Sequence, residues 1–150
     1  MPRTFRIDEL EFPDLPEIPI KLRRKVMYQA AKVVALRARI LAPDSGVAHK
    51  GKLKRSITYG SQNYGLEGVV KSKDPISWLV HNGTKAHLIP APKDPVKLKK
   101  MWRLYPGGKP VHHPGMRAQP FLVEAGEATK DEVERVLKEG AEAAMAEAVS

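Results

Sequence analysis

The seven residues from Gly46 to Lys52, Gly-Val-Ala-His-Lys-Gly-Lys, have the spacing of a phosphate-binding loop, Gly-x-x-x-x-Gly-Lys. Such a loop wraps backbone amides around phosphate, reaches it with the lysine, and holds magnesium with a Ser or Thr hydroxyl at the next position. The next position here is Leu53, which has no oxygen to offer. The expected context is also inverted. A helical pattern precedes the loop and a strand-like run follows it, so no helix N-terminus would face a phosphate. The residues argue against a nucleotide site.

Other chemistry is equally sparse. The five histidines are His49, His81, His87, His112 and His113. A zinc site needs spaced ligands converging from defined elements, and none of these spacings is diagnostic. Loop histidines at turns or interfaces are the simpler account, with a metal-dependent enzyme as the rival. Ser45, Ser56 and Thr84 lack a Gly-x-Ser-x-Gly elbow. The acids gather in the first residues and in the last helical pattern, so no paired-carboxylate site emerges. No catalytic, cofactor-binding or metal-ligating residue is expected. Cations stand out instead. Lys50, Lys52, Lys54 and Arg55 form one group; Lys97, Lys99, Lys100 and Arg103 form another, interleaved with Trp102 and Tyr105. Positive loops of this kind can line a channel for DNA, hold phosphates without reading sequence, or meet an acidic partner. They can also be ordinary solvated lysines.

The elements that must position these groups come from a chain of 150 residues, enough for one domain with a modest core. At 42% hydrophobic and 29% charged, the composition is that of a globular protein. Absence of cysteine excludes disulfides and thiolate chemistry and fits a reducing compartment. No apolar run suits a signal peptide, and no unbroken stretch of ~18 apolar residues suits a membrane span. The formal charge of +9 is unevenly placed: from Glu127 onward seven acidic face three basic residues, and everything before is strongly basic. One copy's acidic helix could therefore lie against a neighbour's basic face.

Residues 1–19 read as an extended arm. Pro2, Pro13, Pro16 and Pro19 forbid a continuous helix, while Phe5, Ile7, Leu10, Phe12, Leu15 and Ile18 need a surface, on this domain or on a neighbouring copy. Residues 20–150 read as a single α+β domain. A helix is expected over Ile20–Leu41, with Leu22, Val26, Ala30, Val33, Val34, Ile40 and Leu41 on the apolar face. Lys21, Lys25, Lys32 and Arg39 fall opposite, Arg37 intrudes on the stripe, and Pro43 stops the helix. Strands are expected over 53–59 and 65–73 around a turn, and over 76–80, ended by Asn82-Gly83. A long Pro/Gly-rich excursion over 83–119 is expected to carry one more strand near 100–105. Pro120 opens the last helix, running to about Val149, with a restart at Thr129, which has capping-box spacing to Glu132. The helix should bury Leu122, Ala125, Val133, Val136, Leu137, Ala141, Ala144 and Ala148. The resulting architecture is an antiparallel sheet of about four strands with both helices on one face.

Three segments then line up in order. They are Ala42-Pro43-Asp44-Ser45-Gly46 leading to 51–57 (Gly-Lys-Leu-Lys-Arg-Ser-Ile), 78–89 (Trp-Leu-Val-His-Asn-Gly-Thr-Lys-Ala-His-Leu-Ile), and 113–122 (His-Pro-Gly-Met-Arg-Ala-Gln-Pro-Phe-Leu). Together they resemble the tail-completion or neck proteins of long-tailed phages, the HK-ninety-seven gene-product-ten-like family, over roughly residues 25–145. That family carries Ala-Pro-x-Asp-Thr-Gly-x-Leu-x-x-Ser-Ile, a Val-Glu-x-Gly-Thr turn, and a late His-Pro-Gly with Pro-Phe-Leu. His81 stands where the family often has glutamate, and 47–50 looks like an insertion that creates the phosphate-loop spacing. The resemblance implies a non-enzymatic structural protein of the virion, a head–tail joining ring assembled in the host cytoplasm, without cofactor. Its implied partners are further copies of itself, adjacent neck, tail-terminator or tail-tube proteins, and passing DNA, touched without sequence specificity; no membrane is involved. Phe5, Ile7, Phe12, Trp102 and Tyr105 become candidate subunit-interface residues, and the two cation groups candidate DNA-channel or partner contacts. A small basic nucleic-acid-binding module centred on Trp102 is the alternative.

Overall fold

A computed structural model of the chain describes residues 4–6, 18–43 and 51–150, the first three as backbone. The expectations for Ile7, Phe12, Lys50 and the Phe5 side chain fall outside these residues. The first elements are β1 (Thr4–Arg6), α1 (Ile20–Leu41), α2 (Lys52–Ser56), β2 (Ile57–Gln62) and β3 (Glu67–Ser72). They are followed by α3 (Ile76–Asn82), β4 (His87–Ile89), α4 (Pro95–Lys100), β5 (Val111–His113), α5 (Phe121–Ala128) and α6 (Lys130–Val149).

The α+β class holds, but the single sheet of about four strands does not. Among the described residues two small antiparallel sheets are present, one ordered β1-β3-β2 and the other made of β4 and β5. The division follows from the excursion, whose two short strands pair with each other (His87 opposite His113, Ile89 opposite Val111). Between β2 and β3 the chain reverses through Asn63–Gly65. Three residues of the arm extend this sheet, with Phe5 opposite Val70.

The hub is α1, which contacts β2 and β3 as well as α5 and α6. Because neighbours press on it from several directions, its buried band is wide: Val26, Met27, Ala30, Ala31, Val34, Ala35 and Ala38. Small residues along this band let those neighbours approach closely. The single-face template therefore misplaces its last turn. Ile40 is 68% exposed rather than buried. Arg39 is half-buried rather than solvated, and its guanidinium donates 2.9 Å to the Ile57 carbonyl and sits 5.9 Å over the Tyr59 ring. Arg37 points to solvent. The helices do not share one sheet face, because α6 packs on α1. In α5 and α6, Phe121, Leu122, Ala125, Val133, Leu137, Ala141 and Ala144 are buried, while Ala148 is exposed.

Three further segments depart from the sequence expectation, each for a capping reason. Residues 52–56 form a helical turn before β2 begins, because Ser56 Oγ donates 2.6 Å back to the Leu53 carbonyl and Leu53 is buried. Residues 76–82 are helical rather than a strand. The Asp74 carboxylate accepts the Ile76 amide at 3.0 Å, Pro75 suits the first turn, and Gly83 ends the helix. Residues 100–105 are not a strand: Asp94 caps α4 through the Val96 amide at 2.9 Å, and the chain leaves α4 in a further turn in which Leu104 and Tyr105 both bond to the Met101 carbonyl. The restart at Thr129 is present without the capping box, since its hydroxyl donates 2.7 Å to the Ala125 carbonyl and closes α5 instead.

The α1–α6 crossing is tight at one point. A Cβ placed on Gly140 would lie 2.8 Å from Val26 Cγ1. Valine is stiff at χ1 and yields little. Gly140→Ala gains up to about 1 kcal/mol of helix propensity, yet overpacking of roughly 1–3 kcal/mol outweighs it. A net loss of about 1 kcal/mol is expected by urea denaturation. Val26→Ala should cost less in the Gly140→Ala background than alone, and strict additivity of the two changes would refute the contact.

Candidate functional site

The excursion is the part of the chain least used by its own core. It is clasped at its base. Thr84 and Met116 exchange backbone hydrogen bonds of 2.8 and 2.9 Å, and the Gln119 amide reaches the Val80 carbonyl at 2.9 Å. Gly83 and Gly115 flank this clasp with φ of 71° and 86°, and each lies against the opposite backbone. A Cβ on Gly83 would stand 2.5 Å from the Met116 carbonyl oxygen and 2.6 Å from the Ala118 nitrogen. Asn82-Gly83, a hairpin signal in the sequence, is thus a helix end and half of a clasp.

Above the clasp, His87 and His113 are cross-strand partners whose rings stack at 5.0 Å. Each ring is fixed by its own loop. His87 Nδ1 donates to the Lys85 carbonyl at 2.8 Å, whereas His113 Nδ1 accepts the Gly115 amide at 3.1 Å. Accepting at Nδ1 leaves the His113 ring its proton on Nε2. Among the described residues no group of three or more His, Asp or Glu side chains gathers as metal ligands would.

Beyond the two strands, α4 and the following turn carry an exposed mixture of cations and apolar groups. Lys97, Lys99, Lys100 and Arg103 are exposed, and among the described residues they make no ion pair. Between them stand Val96, Trp102 at 53% exposure and Leu104 at 61%, with Leu88 on the adjoining β4. Tyr105 differs: at 8% exposure it anchors the turn within its own chain and leaves little surface for a neighbour. Of the first cation group, Lys52 and Arg55 are exposed and Lys54 is half-buried on α2, which packs on α1 and β2. The two groups therefore belong to separate elements.

Of the phosphate-loop spacing, Gly51 and Lys52 are described and Gly46 to Lys50 lie outside the described residues. A short helix does follow Gly51, contrary to the expected strand, but Leu53 in the magnesium-ligand position is fully buried in the core. Ser56, Ser72 and Asp74 form a hydrogen-bonded knot that ties α2 to the end of β3. The two hydroxyls lie 2.8 Å apart, and the Asp74 amide donates to Ser72 at 3.3 Å. Sequence spacing carries no sign of this knot, because its members meet only through the β2–β3 register.

Sequence reasoning also misses a small aromatic group where α1 crosses the sheet. Tyr28 and Tyr59 rings lie 5.0 Å apart. Side-chain hydrogen bonding with the Tyr59 hydroxyl, the repulsion a Tyr28 phenolate would meet from a Tyr59 phenolate, and a smaller desolvation effect raise the Tyr28 pKa above its ordinary value of 10.0. A raised folded-state pKa makes a stabilising contribution that is complete below the ordinary tyrosine pKa and is lost as pH climbs through the folded value. Ultraviolet titration should therefore show Tyr28 ionising late, and Tyr59→Phe should return it to the ordinary range. An unchanged curve in Tyr59→Phe would remove the pairing.

Among the described residues no helix is long and apolar enough to cross a membrane. Comparisons with protein-family models, curated proteins and solved structures find no match.

Proposed function

We propose that the chain is a structural subunit of a phage neck, self-associating into a ring through which DNA passes and performing no catalysis. The observation that carries this reading is the excursion: a clasped segment that displays Leu88, Val96, Trp102 and Leu104 among cations that pair with no described residue. Large apolar groups exposed outside the core suit a surface that another protein covers. The uneven charge of the +9 chain adds a complementary surface, since α6 is predominantly acidic while the excursion is basic. The order of the three sequence segments supports the location at the head–tail junction. On this reading the ring is closed by the same two surfaces on every copy, a heterologous contact that repeats around an axis.

Electron microscopy of purified particles tests the proposal. A symmetric neck ring into which this chain fits is the expected result, and absence of the chain from particles overturns it. The second reading, a small nucleic-acid-binding module, draws on Trp102 standing exposed beside Lys99, Lys100 and Arg103, since bases stack on exposed aromatics between cations. Tight binding of DNA by the isolated monomer, falling steeply with salt, would favour that reading over a ring subunit.

A further inference from the structure

A second unfilled surface lies on the opposite partner of that charge pairing. Between α1 and α6 runs a groove of about 330 Å³. Leu22 and Val26 floor it from α1, with Val136, Ala143 and Ala144 from α6. Glu139 and Glu147 stand on its α6 rim, against Lys25 on the α1 rim. The groove exists because Gly140 lets the helices touch at Val26, while Ala143 and Ala144, one turn on, are too small to fill the space beside that contact. Its size is at the lower end of ligand pockets, roughly 300–1000 Å³, and suits one large side chain.

We infer that this groove receives Trp102 from a second copy of the chain, so that the α1–α6 face of one subunit seats on the excursion of the next. The inference rests on the ring reading and names its contact. Trp102 has the required form. It projects at 53% exposure from a turn fixed by the Leu104 and Tyr105 amides on the Met101 carbonyl and anchored by buried Tyr105. An aromatic group already held in place loses little freedom on docking. Charges are complementary: Lys99, Lys100 and Arg103 flank Trp102 along the chain, and two carboxylates against one lysine rim the groove. Glu139 is also 3.9 Å from Arg135, an exposed pair that a closer cation would displace, leaving Glu147 as the less encumbered acceptor. On the ring reading the contact is head-to-tail, and an open row of copies keeps one unused insertion at one end and one unused groove at the other until the ring closes.

The test uses the full chain and two variants that each destroy one surface. Trp102→Ala removes the insertion and keeps the groove; Ala143→Trp fills the groove from an exposed position and keeps the insertion. In sedimentation experiments the wild type should self-associate, and each variant should do so roughly 30-fold more weakly or worse, the loss expected for an aromatic anchor. Mixed together, the two variants should give a 1:1 complex that grows no further. In a Trp78→Phe background, association should shift the Trp102 fluorescence to the blue. Glu147→Lys should weaken association and Arg103→Glu should restore part of it. A wild type that remains monomeric overturns the inference, whereas the virion reading stands or falls on particle images. Association undiminished in Trp102→Ala overturns it while leaving self-association intact. Dissociation by Ala143→Trp alone, with Trp102→Ala unaffected, would assign the groove to another segment of the neighbour and overturn it equally. Helical circular dichroism of each variant separates lost contact from lost fold.

Discussion

Gly115→Ala is expected to spring the excursion from the domain while leaving the core folded. Position 115 has a φ of 86°, and an added Cβ would drive into the Thr84 carbonyl oxygen and crowd the Ala86 nitrogen at 2.9 Å. Backbone strain of about 1–3 kcal/mol accompanies such a φ in a residue with a side chain. The neighbouring atoms are main chain and cannot rotate aside. Relief comes from parting the Thr84–Met116 pair, which loses two hydrogen bonds of about 1 kcal/mol each. Hydrogen exchange at the Thr84 and Met116 amides should accelerate by roughly a hundredfold, in line with a local loss of about 3 kcal/mol. Proteolysis should move into residues 83–119. The global melting temperature should change much less, because Phe121 and the α1 band take no part in the clasp. Unchanged protection at both amides would show that the clasp tolerates a side chain.

Phe121→Ala should have the largest effect on global stability. Phe121 is fully enclosed at the start of α5, in the cluster that includes Met27, Val34 and Leu122. Truncating a buried phenylalanine costs about 3–5 kcal/mol, partly through the transfer term and partly through the cavity left behind. For a chain of this length that corresponds to a fall in Tm on the order of 10 °C. Phe121→Leu, which keeps most of the volume, should cost less than half as much. Equal losses for the two variants would mean that ring shape rather than volume decides the site.

The long elements were legible because their signals are repetitive. The helix over Ile20–Leu41 is present with the expected bounds, stopped before Pro43, and α5 begins directly after Pro120, which stands at the N-cap rather than in the first turn. The strands over 57–62 and 67–72 lie within or beside the expected runs. What escaped was short and decided by caps. Asp74 and Asp94 each precede a proline and each accept an amide two residues on, yet the apolar residues after them (Ile76, Leu79 and Val80; Val96 and Leu98) imitate strands when counted without the cap. Leu53 was the decisive residue of the phosphate-loop spacing for one reason, its missing hydroxyl, and the fold adds another, its burial. The groove between α1 and α6 could not be read at all. It depends on Gly140 meeting Val26, two residues more than a hundred positions apart whose pairing no local pattern announces.

The bond from Arg39 to the Ile57 carbonyl has a consequence for solubility. Lys73 donates to the Ser56 carbonyl, and Thr58, Gly60 and Gln62 continue that alternation against β3. Ile57, Tyr59 and Ser61 consequently turn their backbone groups toward the outer edge of β2. An uncovered strand edge invites a strand from any other unfolded or folded chain. By seating its guanidinium on the first outward carbonyl and lying over Tyr59, Arg39 places a charged, fixed side chain where an incoming strand would have to begin. Arg39 thereby serves, from α1, as a guard against edge-to-edge pairing along β2.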